Sequence, residues 1–127
     1  MKKSPKLPIV TRNVIVKNQF RAVHCWPDCN IDGVEFLSFP HMHYFYTETI
    51  VSVNHNDREI EIITLQKQID DFLTKNYPLH YLGATSCEML AEHIINFIVT
   101  EYGERNTEVK VYEDNINGGS VKYEYYS

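Results

Sequence analysis

With 127 residues the chain can bury one hydrophobic core and is too short for two ordinary domains, so a single domain over residues 1–127 is expected. Hydrophobic residues at 43% and charged residues at 23% describe a folded chain, neither disordered nor membrane-embedded. A formal net charge of -5, without clustered Lys and Arg, argues against nucleic acid and points to a small molecule or another protein as partner.

The N-terminus is basic through Lys2, Lys3 and Lys6, but Pro8 and the polar run Thr11, Arg12, Asn13 leave no room for the apolar stretch of a signal peptide. No segment approaches the length and apolarity of a membrane span. Cys25, Cys29 and Cys87 are odd in number, so they do not form a complete set of internal disulfides; reduced thiols and a cytoplasmic location are expected.

Residues 9–24 alternate over their second half, with Val14, Val16, Phe20, Ala22 and His24 on one face and Lys17, Gln19 and Arg21 on the other. Period two predicts a strand. Residues 25–40 carry Pro27, Asp28, Asn30, Asp32, Gly33 and Pro40 with no sustained period, and read as a long loop. Over 41–55 the β-branched and aromatic density returns, with His41, His43, Phe45, Thr47, Thr49, Val51 and Val53 sharing one face of a second strand. Residues 59–62 fit either its continuation or the approach to a helix.

Thr64 is placed to cap a helix in which Leu65, Ile69, Phe72 and Leu73 make one apolar side, limited by Pro78. Thr85 and Glu88 have capping-box spacing ahead of a second helix, whose stripe is Cys87, Leu90, Ala91, Ile94, Phe97 and Ile98 and whose stop is Gly103. Val109, Val111 and Glu113 then alternate with Lys110 and Tyr112, residues 115–119 turn the chain, and Val121, Tyr123 and Tyr125 alternate back. The order ββααββ predicts the α+β class, an antiparallel sheet with two helices on one face. Its other face and its open edges suit an oligomer.

Residues two apart in a strand point the same way, so His41 and His43 project side by side, and an antiparallel partner brings His24 beside them. Three nitrogen donors and an open position suit a catalytic zinc. Spacing alone fits this and equally fits histidines satisfied by hydrogen bonds or solvent.

Several segments together resemble one family, the 6-pyruvoyl-tetrahydropterin synthases and the related 6-carboxy-tetrahydropterin synthases. Phe20-Arg21-Ala22-Val23-His24 is similar to that family's F-x-A-A-H, and His41-Met42-His43-Tyr44 to its H-G-H-x-Y, with Met42 in place of glycine. Ile60-Glu61-Ile62-Ile63-Thr64-Leu65 resembles its strand-to-helix segment, with Glu61 at the acidic position. Ser86-Cys87-Glu88-Met89-Leu90-Ala91 resembles the opening of its second helix, and Val109-Lys110-Val111-Tyr112-Glu113 its penultimate strand.

The resemblance implies the tunnelling fold, a four-stranded antiparallel sheet with two helices that assembles into barrel-forming oligomers, commonly hexamers. It implies zinc held by His24, His41 and His43, and Glu113 and Glu61 as ligand-binding acids. A carboxylate such as Glu113 can accept two parallel hydrogen bonds from the 2-amino-4-oxo edge of a pterin or purine. The family's catalytic cysteine, a few residues before H-x-H, is missing here, where Phe36-Leu37-Ser38-Phe39-Pro40 stands. Cys29 in the same loop is its weak substitute. His80 matches the histidine of the family's Asp-His pair, with Leu79 in place of the aspartate. The resulting expectation is a divergent zinc protein of this type that binds a pterin-, purine- or nucleotide-like molecule between subunits. If active it is a zinc-dependent lyase with His80 and Cys29 moving protons; the alternative is an inactive binding or sequestering protein.

Overall fold

Two long strands frame the molecule, whose computed structural model describes residues 4–125. β1 (Arg12–His24) and β2 (His41–Val53) are antiparallel over their whole lengths, from Arg12 opposite Val53 to His24 opposite His41. α1 (Ile62–Asn76), the short β3 (Tyr81–Gly83) and α2 (Cys87–Tyr102) follow, and β4 (Thr107–Glu113) and β5 (Asn117–Tyr123) close the chain. The sheet order is β3-β1-β2-β4-β5.

The four expected strands pair antiparallel, and β3 adds a parallel edge to the end of β1, Val23 beside Tyr81 and His24 beside Gly83. Three residues are too few to display a strand period, which is why only its neighbour reveals it. The 115–119 turn is tighter than expected: Asn117, Gly118 and Gly119 already pair with Glu113, Tyr112 and Val111, leaving residues 114–116 to reverse the chain.

Both helix starts shift from the expected caps. Glu61 Oε2 accepts the Thr64 N–H at 2.6 Å, so the acid caps α1 and Thr64 lies inside it. Ser86 Oγ accepts the Met89 N–H at 3.1 Å, while the Thr85 hydroxyl turns back to donate to the Leu82 carbonyl at 2.6 Å. Neighbouring residues carry equivalent oxygens, and the backbone entry angle selects among them. Gly103, with φ 88, ends α2 as expected.

The alternation of β1, β2 and β4 sends Val16, Phe20, Ala22, Phe45, Val51, Val109 and Val111 to one face. Leu65, Ile69 and Leu73 of α1 and Leu90, Ala91, Ile94, Ile95 and Ile98 of α2 close over them, all buried. Each fully buried aliphatic side chain contributes about 1.5–3 kcal/mol, so this layer holds the strands in register. The opposite face has Ile15, Met42 and Tyr44 exposed, with Glu48 between Lys17 and Lys110 at 3.8 and 3.6 Å. Among the described residues, no helix is long and apolar enough to cross a membrane.

Candidate metal centre

β1 ends where β2 begins. Register sets His24 opposite His41 and Ala22 opposite His43, so all three imidazoles leave the sheet on its helix-covered face. Ring centroids lie 4.5 Å apart for His24 and His41, 5.6 Å for His24 and His43, and 5.1 Å for His41 and His43. One nitrogen from each falls within 4.8 Å of the others, a cluster of the kind that can hold one ion. The fully buried Phe45 lies next along β2 and meets two of these rings edge-on, at 5.1 Å from His24 and 6.0 Å from His43.

Every Nδ1 in the triad is already engaged. That of His24 faces the Thr85 carbonyl at 2.9 Å, that of His41 the Phe39 carbonyl at 2.9 Å, and that of His43 the Asp114 carboxylate at 2.6 Å. Carbonyl and carboxylate oxygens only accept, so each Nδ1 carries a proton, and in the neutral imidazole each Nε2 keeps its lone pair. The Nε2 atoms of His24 and His41 are buried without a hydrogen-bond partner. Leaving such an atom unsatisfied costs about 1–3 kcal/mol, and a borderline-soft divalent cation is the group that matches these two nitrogens together with that of His43. The triad therefore fits zinc. Burial lowers the His24 pKa, against the opposing pull of the Thr85 carbonyl and Glu113, and so favours the neutral, ligating form.

Asp114 went unmarked in the sequence. It opens the β4–β5 turn in the left-handed region (φ 53), donates its N–H to the Tyr44 carbonyl at 2.7 Å and accepts the Tyr44 N–H on Oδ1 at 3.0 Å. The hydrogen bonds from His43 and Tyr44 hold its carboxyl below the usual range. The only local signal was an Asp-Asn pair at a hairpin turn; its distance of 71 positions from His43 hides the connection.

Glu113 pairs with Phe45 across β2 and β4, and its carboxylate reaches the triad: Oε1 is 3.2 Å from His24 Nε2 and Oε2 is 3.4 Å from His43 Nε2. A cavity of about 530 Å³ opens here, lined by His24, His41, Glu113, Trp26, Cys87 and Glu88 among others. Cys87, assigned from periodicity to the apolar stripe of α2, is buried with Sγ 3.8 Å from Glu113 Oε1. Burial, with the Glu113 and Glu88 carboxylates, pushes its thiol up to about 12.

The remaining expected site residues do not line this cavity. Cys29 Sγ donates to the Val34 carbonyl at 3.5 Å within its own loop. His80, in the turn Pro78–His80, stacks on Phe20 with centroids 5.1 Å apart. The Glu61 carboxylate is used in capping α1. Met42, between His41 and His43 on β2, faces away from the triad and is 45% exposed.

No family model matches the chain, and no curated protein matches it. Solved structures do. Two variants of Plasmodium vivax 6-pyruvoyltetrahydropterin synthase, with a catalytic glutamate replaced by alanine or by cysteine, superpose with TM-scores of 0.65 and 0.61. Identities are 12% and 13%, over 91% of this chain and 99% of each of theirs. Likeness at that identity speaks to architecture: the chain has the α+β fold of a 6-pyruvoyltetrahydropterin synthase.

Proposed function

We propose that this protein is a divergent zinc protein of the 6-pyruvoyl- or 6-carboxy-tetrahydropterin synthase type, one domain whose cavity binds a pterin-, purine- or nucleotide-like molecule and is completed by a neighbouring subunit. One observation carries the reading: all three Nδ1 atoms are spoken for by acceptors, which leaves Nε2 as the ligating atom of three rings gathered beside an open cavity. Zinc bound there supplies a Lewis acid for a carbonyl or hydroxyl of the bound molecule. Thr85, Phe39 and Asp114 orient its ligands, and Glu113 at the cavity wall is the acceptor for a 2-amino-4-oxo ring edge.

A second reading, binding without turnover, is favoured by where the proton-moving groups sit. His80 and Cys29 do not line the cavity, and the Cys87 thiol that does line it stays protonated at neutral pH. The synthase variants name a catalytic glutamate. The loop before His41 carries an acid here as well, Glu35, whose carboxylate accepts the Gly33 N–H at 3.1 Å.

The deciding experiment measures zinc per chain in the purified protein, binding of pterin, and conversion of dihydroneopterin triphosphate. Zinc near one per chain with pterin binding supports the proposal, and turnover lost in Glu35→Ala selects the enzyme. Zinc and pterin binding without turnover selects the binder. A protein that takes up no divalent metal refutes both.

A further inference from the structure

We infer that Glu113 is a fourth ligand of the metal in the ligand-free protein, so that one carboxylate both closes the coordination shell and receives the incoming ring. The inference rests on the triad reading above and goes beyond it, because that reading leaves the fourth position open.

Glu113 faces His24 and His43 on the wrong side for ordinary hydrogen bonding. With Nδ1 holding the proton on each ring, the carboxylate oxygens meet nitrogen lone pairs at 3.2 and 3.4 Å. Acceptor against acceptor at that range is repulsive unless a cation lies between them. A proton on His24 does not serve, since its Nε2 has no aligned hydrogen bond to any partner despite the short separation. A metal bond has no such N–H alignment to satisfy.

The distances themselves match. With bonds of about 2.0–2.1 Å to nitrogen and carboxylate oxygen, neighbouring ligands of a tetrahedral zinc stand about 3.3 Å apart. The two contacts made by Glu113 have that length, one through each oxygen, so the carboxylate straddles His24 and His43 and a turn of its side chain presents one oxygen to the ion. Glu113 is also the last residue of β4, held opposite Phe45 by the sheet, so its backbone is placed and only the side chain needs to move. On its far side the Cys87 thiol, 3.8 Å away, offers a neutral donor to the oxygen nearest His24. A ring edge that takes Glu113 as its acceptor then uncovers the metal, coupling recognition to the opening of the site.

Cobalt(II) is the probe, because its visible absorption reports coordination number. Loaded wild-type protein is expected to show a four-coordinate spectrum that changes when pterin is added. Glu113→Gln and Glu113→Ala are expected to bind cobalt at least about tenfold more weakly, and their spectra should no longer respond to pterin. Far-UV circular dichroism establishes that the variants fold. Should they not fold, infrared difference spectra of wild-type protein labelled with ¹³C-glutamate serve instead: zinc should shift one glutamate carboxylate band, and no shift overturns the inference. Unchanged cobalt affinity and spectrum in folded Glu113 variants, with His41→Ala losing the metal, overturns the role of Glu113 and leaves the triad standing. Failure of the wild-type protein to bind cobalt or zinc overturns both.

Discussion

Asp114 holds His43 and the strand that carries it at the same time: Oδ2 is 2.6 Å from the imidazole Nδ1, and Oδ1 accepts the Tyr44 N–H at 3.0 Å. One carboxylate from the β4–β5 turn thus sets both the ring and its backbone. Asn tolerates the left-handed backbone at this position, so Asp114→Asn keeps the turn while removing the charge and setting an amide NH2 against one of the two donors. Zinc affinity, measured by competition with a chelator, should fall about 10- to 100-fold with the fold retained. An unchanged affinity removes Asp114 from the site.

Phe45 is wholly buried and lies against two triad rings. Phe45→Ala should cost about 3–5 kcal/mol in urea unfolding, through lost burial and the cavity left behind. It should also weaken zinc binding, because His24 and His43 lose the surface that fixes their tilt. Phe45→Leu, keeping most of the volume, should recover much of both. Loss of stability with zinc affinity untouched would show that the ring supports only the core.

Gly118 and Gly119 separate a backbone clash from a side-chain one. A Cβ on Gly118 would stand 1.9 Å from the Val111 carbonyl oxygen, whereas on Gly119 it would meet the Glu88 carboxylate at 2.7 Å. Val111 is fixed in β4, but Glu88 can swing. Gly118→Ala should therefore destabilise by more than about 2 kcal/mol and Gly119→Ala by about 1 kcal/mol or less. The reverse order in denaturant midpoints contradicts this account of β5.

Away from the centre, Glu59 receives the Asn54 N–H at 2.8 Å and the Arg105 guanidinium at 2.7 Å, and these two contacts lower its pKa from the ordinary 4.5. The unfolded chain then binds the more protons between that value and the depressed one. Stability from this contact is complete above pH 4.5 and is lost as pH falls through the folded pKa. Glu59→Gln should lower stability at pH 7 and flatten the acid limb of thermal melts recorded from pH 6 to 3. An acid limb as steep as wild type rules this contribution out.

The thiols should differ in reactivity. Cys87 is buried with its thiol pushed up to about 12, while Cys25 and Cys29 are half-buried in or beside the long loop. Since the thiolate is the nucleophile, iodoacetamide at pH 8 should label Cys25 and Cys29 first and spare Cys87 in the folded protein. Peptide mapping reads the order, and early labelling of Cys87 refutes its assigned state.

The triad was legible because its logic is local. His41 and His43 share a face by strand alternation, and the end of β1 meets the start of β2 in any hairpin joining them. The helices were legible from their apolar stripes, although the caps moved to Glu61 and Ser86 because several adjacent residues carry an equivalent oxygen. His80 was placed by likeness to a motif and Cys29 only by sharing the loop; in the structure His80 stacks on Phe20, Cys29 donates to the Val34 carbonyl, and neither lines the cavity.

By itself the sequence determined the order of the four antiparallel strands and the two helices, the buried face of each long strand and the three clustered histidines, since these follow from period and proximity along the chain. Tertiary structure alone decided what surrounds those histidines. Thr85 arrives from the entrance to α2, Glu113 from the end of β4 and Asp114 from the turn that follows it, at a register set by packing of the whole layer. Hydrogen-bond partners separated by 61 and 71 positions leave no periodic trace, because the chain between them is free to meet in many ways until the core closes. Glu113 changed most in this passage, from an acid for ring recognition to one standing at the nitrogen lone pairs of His24 and His43.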